Sequence, residues 1–170
     1  MADITRLARS FSEQYLPSVL RAEALKKIEW HKAQGDEVYV VSASLDFYLS
    51  CWCRSQGINW VCSELETKNN KLTGRYVSGD CSLENKVSAI KRKVNLSDFK
   101  TIYAYGDTTE DMPMLALAHE KYFNWQRVYW PRCSLMSCNM RTLYLLVFDK
   151  LFIVSNIIKT YFVHIQQKRK

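Results

Sequence analysis

Two short apolar runs set the limits on the fold. EVYVVS (37–42) and TIYAYG (101–106) are rich in β-branched and aromatic residues, and neither alternates polar with apolar as a strand with one wet face would. Continuous apolar runs of this length mark strands buried on both faces, which occur in parallel sheets covered by helices. The surrounding sequence fits. Residues 4–16 and 19–33 read as helices separated by Pro17, and Gly35 closes the second. Residues 45–56 read as a helix ended by Gly57, NWVCSELE (59–66) as a strand, and NNK with LTGRYV as a hairpin excursion. SLENKVSAIKRKV (82–94) reads as a helix opened by Ser82, with Asn85 in the place of the usual capping-box Glu, and 110–118 as a further helix. Strands alternating with helices predict an α/β fold, a doubly wound parallel sheet with crossover helices.

The chain has 170 residues, enough for one domain with a sizeable core. Its six cysteines (51, 53, 62, 81, 133, 138) show no paired C-x2-C sets and no nearby histidines. That argues against a zinc site and against a secreted disulfide framework, and for reduced thiols in the cytoplasm. The opening MADITRLARSFSEQYL is charged from Asp3 onward and has no apolar core, so it does not read as a signal peptide. The net charge of +7 is unevenly placed: from Tyr129 onward seven basic residues face one acid, Asp149, which leaves residues 1–128 near neutral. Basicity of that kind is no evidence for nucleic-acid binding. The last Gly is Gly106, the last Ala is Ala118 and the last Glu is Glu120, so composition shifts near residue 129.

Three polar features fall where strands end. Ser42 closes EVYVVS just before a helix; Asp107 and Asp111 follow TIYAYG; Lys86 lies in the first turn of the helix between those strands. In open parallel sheets, ligands bind at the carboxyl ends of the strands. A serine hydroxyl beside a helix N-terminus offers donors to a phosphate oxygen, and a lysine adds a compact positive charge. Two carboxylates on one loop suit Mg²⁺, which takes one or two protein carboxylates together with water and phosphate oxygens. Each residue also has a plainer role open to it. Asp107 and Asp111 suit the first turn of a capped helix. Ser42 could serve as a turn residue, with Ser44 as the helix N-cap, and Lys86 could be a solvated helix lysine, as Lys91 and Lys93 are expected to be. His31, His119 and His164 are isolated and suggest no site.

Taken in order, VVSAS, LTG, GDCSLENK and YGDTTEDMPMLALA resemble the later signature motifs of the haloacid dehalogenase-like hydrolases, most closely the phosphoserine-phosphatase-like branch. The resemblance covers roughly residues 5–127, and order and spacing agree together. It implies a Rossmann-like three-layer α/β/α core at 35–128 and a helical cap remnant at 1–34. It also implies Mg²⁺-dependent hydrolysis of a small-molecule phosphate ester. Ser42 and Lys86 would bind the phosphoryl group, Asp107 would ligate Mg²⁺, and Asp111 would ligate it or hold its waters.

The family's first motif is an apolar strand ending in D-x-D, whose first Asp is the nucleophile and whose second is the general acid/base. No D-x-D occurs in these 170 residues. The resemblance therefore implies a chain truncated at its N-terminus, lacking a central strand between those ending at Ser42 and Gly106. Its loss would leave two inner strand edges unpaired and would favour a fragment that binds phosphate or Mg²⁺ without turnover. TLYLLVFD (142–149) could fill the gap, with Asp149 as a speculative nucleophile, although Leu151 stands where the second Asp would be. For 129–170 two other expectations arise. One is an apolar, basic tail that self-associates into a homo-oligomer or lies on a membrane surface; Asp149, Lys150, Asn156 and Lys159 interrupt it too often for a spanning helix. The other is a shifted or fused sequence not native to the fold.

Overall fold

The computed structural model describes residues 2–129 and the backbone of residues 141–147. Helix α1 (Ala2–Ser10) runs through a π-helical turn, Phe11–Tyr15, into the short α2 (Leu16–Val19). Pro17 does not break the run. It sits in the first turn of α2, directly after the wide turn; a proline is tolerated in a first turn, where its missing N–H would have no partner in any case. The chain leaves helical geometry at Leu20 and Arg21 instead, both extended, before α3 (Ala22–Ala33). Strand β1 (Glu37–Leu45), α4 (Asp46–Gln56) and β2 (Asn59–Ser63) follow, with Gly57 closing α4 in the left-handed conformation at φ 64°. The expected strand 59–66 divides after Ser63. Beyond Glu64, β3 (Leu65–Lys68) turns through Asn69 and Asn70, both at positive φ, to pair antiparallel with β4 (Lys71–Tyr76). Helix α5 (Leu83–Lys93), β5 (Phe99–Gly106), α6 (Met112–Leu115) and the hairpin β6 (Glu120–Phe123)–β7 (Gln126–Val128) complete the body.

The main sheet has the order β2-β1-β8-β5-β6-β7, in which β8 is Arg141–Val147. Strand β8 runs parallel to β1 on one side and to β5 on the other, with Val147 level with Val41 and Leu146 level with Tyr105. The expected gap between the strands ending at Ser42 and Gly106 is therefore filled, and by the stretch whose apolar run suggested it. Within the tail expected at 129–170, Arg141–Val147 is thus strand and part of the sheet. Asp149, His164 and the rest of residues 148–170 lie outside the described residues. No helix among the described residues is long and apolar enough to cross a membrane.

Helices cover both faces. On one, α2, α3 and α4 bury Leu16, Ile28, Tyr48, Leu49 and Trp52 against Val38, Val40 and Tyr105. On the other, Ile90, Met114 and Leu115 pack on Val41, Ile102 and Ala104. Alternate residues of β1 and β5 thus serve opposite cores, as period-2 strands between two helical layers must. The α/β three-layer architecture expected from the sequence is the one observed.

Where α3 meets β1, the buried His31 ring holds Asp36 at Nδ1–Oδ2 2.6 Å and packs edge-on against Trp30 and Tyr103. Burial pulls the imidazole from its ordinary 6.5 down to about 4, outweighing the raising effect of Asp36. Between those two values the unfolded chain binds a proton that the folded chain refuses. The stability tied to His31 is therefore complete above pH 6.5 and is lost as pH falls toward 4. Urea midpoints should drop across that window, and His31→Gln should flatten that part of the profile. An equally steep drop in the variant would assign the loss to other groups.

Candidate functional site

The site lies at the carboxyl edge of the sheet, where β1, β8 and β5 end side by side. Its centre is Asp111. This carboxylate is fully buried, and its Oδ1 accepts a 2.6 Å hydrogen bond from the Lys86 ammonium, itself fully buried on α5. Its Oδ2 accepts from the backbone N–H groups of Asp107 and Thr108, each at 3.2 Å, and from the Thr108 hydroxyl. Thr108 and Asp111 form a reciprocal capping box around the 3₁₀ turn Thr109–Asp111. The helix expected over 110–118 is thereby shortened to α6. The capping box expected at Ser82 and Asn85 is not the arrangement found there: both side chains bond Asp80 instead.

Gly106 makes the arrangement sterically feasible. A Cβ there would lie 2.6 Å from the Asp111 Cβ and 3.0 Å from its Oδ2. The β5 backbone can pass so close to Asp111 only without a side chain.

Asp107 leaves the strand one residue later. Its Oδ2 meets the Arg21 guanidinium (Nη2) at 3.2 Å, with the side chains 15% and 31% exposed respectively. The two carboxylates that looked alike in sequence are therefore held differently. Asp111 is clamped inside the protein, whereas Asp107 stands partly open at the strand end.

Ser42 is buried at the other strand end, and its Oγ accepts from the Ser44 N–H at 3.1 Å. The register against β2 shifts between Ser42 and Leu45, a bulge of the kind that re-aims side chains near sites. Ser44 is not the helix N-cap; it belongs to β1, and Leu45 occupies the cap position without a side-chain bond. Ser63, fully buried, ties the bulge down. Its hydroxyl donates to Ala43 O at 3.0 Å and accepts from Cys81 N at 2.9 Å. The serine loop is thus joined to the segment that leads into α5 and Lys86. Cys81 itself is buried there. Desolvation lifts its thiol to about 11, tempered by the Lys86 charge and by a backbone hydrogen bond from Ser42, so it is not a reactive thiolate.

Ser63, Cys81, Arg21 and Thr108 carry parts of the site that the sequence did not announce. Only Thr108 left a trace: T-x-x-D is a capping-box pattern, but it had been absorbed into the carboxylate motif. Asp107 is the partly exposed carboxylate that a divalent cation at the strand ends could reach. Mg²⁺ accepts one or two protein carboxylates and fills its remaining positions with water and phosphate oxygens. Among the described residues no cluster of three or more His, Cys, Asp or Glu side chains could hold a metal. Asp107 would therefore be the protein's principal contribution, with Asp111 holding its backbone in place.

Comparison with known proteins agrees with the geometry. The profile of the family described as haloacid dehalogenase-like hydrolase matches residues 2–116. Protein CicA of Caulobacter vibrioides is 32% identical over 127 residues, 71% of this chain and 55% of that protein. Histidinol-phosphatase of Neisseria meningitidis serogroup C is 26% identical over 125 residues, 69% of this chain and 56% of that protein. The crystal structure of a protein of unknown function from Bordetella pertussis Tohama I has the same fold, with TM-score 0.65 and 22% identity, covering 71% of this chain and 56% of that one. The chain spans about half the length of the curated relatives it matches.

The clamp predicts an asymmetry in stability. Asp111→Ala removes a buried acceptor from the Lys86 ammonium and from two backbone donors together, and should cost about 3–5 kcal/mol. Lys86→Met leaves Asp111 with its three N–H and O–H donors on the 107–108 turn, and should cost clearly less. Urea unfolding of both variants decides the matter. Equal losses would mean that the ion pair, rather than the hold on the 107–108 backbone, is what Asp111 supplies.

Proposed function

The chain belongs to the haloacid dehalogenase-like hydrolases, and we propose that it forms the phosphoryl-binding site of a phosphomonoesterase of the phosphoserine-phosphatase-like branch. The observation that carries this reading is the buried Lys86–Asp111 pair beside Asp107 at the carboxyl end of the sheet. Burying two charges is expensive, and an ion pair in that position serves an anion at the strand ends better than it serves stability. A histidinol-phosphatase among the relatives supports a phosphate monoester as the substrate class.

In this reading Ser42 donates its hydroxyl to a phosphoryl oxygen, and the backbone after the β1 bulge adds donors. Lys86 places a fixed ammonium against the same group. Its orientation is set by Asp111, so it need not reorganise as negative charge builds on the phosphoryl oxygens. Asp107 holds the divalent cation, and Asp111 fixes the turn that carries it. A bound Mg²⁺ would supply charge neutralisation at the phosphoryl group. The nucleophile belongs at the carboxyl end of the central strand, a place in the sheet that β8 takes here. Asp149, two residues beyond Val147 in sequence, is the carboxylate we assign to attack on phosphorus. Its oxygen forms the new P–O bond as the ester P–O bond breaks; the leaving alkoxide takes its proton from water, Leu151 standing where the family has its acid, and a second water then hydrolyses the aspartyl phosphate.

A second reading is favoured by one observation, the absence of D-x-D from these 170 residues. The protein would then bind phosphate without turning over. Hydrolysis of p-nitrophenyl phosphate in Mg²⁺, with inorganic phosphate binding followed by ³¹P NMR, separates the two. On the first reading, Asp107→Asn, Lys86→Met and Asp149→Asn each cost at least about 100-fold in kcat/KM. On the second, no variant and no parent turns over, yet phosphate binding is present and is lost in Ser42→Ala and Lys86→Met. Neither turnover nor binding would remove the site altogether.

A further inference from the structure

We propose that Arg21 occupies the cation position on Asp107 and that a divalent ion must displace it; this rests on reading Asp107 as the metal-binding carboxylate. Two cations meet two carboxylates at the site. Lys86 is directed at Asp111 and Arg21 at Asp107, by contacts of 2.6 Å and 3.2 Å. Arg21 reaches the site from an unusual place: the extended joint between α2 and α3, where the helical layer is interrupted just before the chain enters the sheet.

The chemistry of the pair makes it an exchange point. A guanidinium keeps its proton at any ordinary pH, so it cannot give way to a second cation by becoming neutral. It must move, because two cations on one carboxylate oxygen repel. It is also able to move. The Asp107 contact is through a single nitrogen, and Arg21 is about a third exposed. Partly exposed pairs of this kind are weak, unlike the enclosed Lys86–Asp111 pair. The carboxylate is thereby kept neutralised and aimed while no metal is on it, and metal occupancy releases the α2–α3 joint from the sheet edge. Arg21 lowers the metal affinity of the site and makes the joint report on its occupancy.

Direct Mn²⁺ binding, read by the loss of the free-ion EPR signal, tests this without relying on turnover. The full chain is compared with Arg21→Gln, Arg21→Lys and Asp107→Asn, each first checked for native thermal unfolding. Arg21→Met, which keeps the apolar stem, stands in if the Gln variant does not fold. Binding should tighten about threefold to fivefold when the charge is removed, stay near the parent value in Arg21→Lys, and vanish in Asp107→Asn. Parent-like or weaker affinity in the charge-removed variant, with Asp107→Asn still defective, overturns the exchange and leaves the metal reading standing. No binding by the parent, or binding unaffected by Asp107→Asn, overturns the metal reading and the exchange with it.

Discussion

The buried contact between Lys86 and Asp111 is the constraint around which the rest of the site is arranged. Asp111 faces two ways at once. One oxygen holds the lysine of α5; the other holds the backbone of the turn after β5. Two elements from separate parts of the chain are therefore fixed to a single carboxylate, and the 107–108 backbone cannot shift without taking two donors from a buried charge. That is the physical reason Gly106 precedes Asp107. Any side chain on the last residue of β5 would collide with the group that does the fixing. The same economy appears on the opposite strand, where a single hydroxyl on Ser63 holds both the β1 bulge and the entry to α5.

How much of this was written in the sequence depends on whether the information is local. EVYVVS and TIYAYG announced buried strands because both faces of each must be apolar, and β1 and β5 are those strands. Lys86, Asp107 and Asp111 could be expected near one edge because a parallel sheet brings strand ends together whatever lies between them. The structure indeed brings Lys86, Asp107 and Asp111 into one hydrogen-bonded group. What each carboxylate does was not legible. Spacing alone makes Asp107 and Asp111 equivalent; burial and the positions of Arg21 and Lys86 separate them. Arg21 could not have been found, since in one dimension it is one more basic residue near a helix start. Pro17 misled for the converse reason. A local rule about breaking helices was overridden by a π turn immediately before it.

Strand β8 shows that the fold and the chemistry place separate demands on the same location. The sheet requires a segment between β1 and β5 that can pair on both sides, and a run of large apolar residues in extended form suffices. The register with both neighbours delivers this. Catalysis requires much more: a carboxylate at one height, aimed at one point, flanked by Ser42 on one side and Asp107 on the other. Main-chain pairing is nearly indifferent to side-chain identity, so a strand can satisfy the first demand while leaving the second to whatever follows it. Here the family's D-x-D is absent, while the groups that would surround it are assembled.

That separation bears on what the surrounding groups are for. Had the buried pair existed to stabilise the sheet, apolar residues of similar volume would serve better, because the desolvation of two charges offsets most of their attraction. Lys86 and Asp111 instead fix an ammonium beside Asp107, whose side chain is 15% exposed, an arrangement that sheet stability alone does not explain. Assembling Lys86, Asp111 and Asp107 at the strand ends is therefore one requirement, and supplying a carboxylate beyond β8 is another.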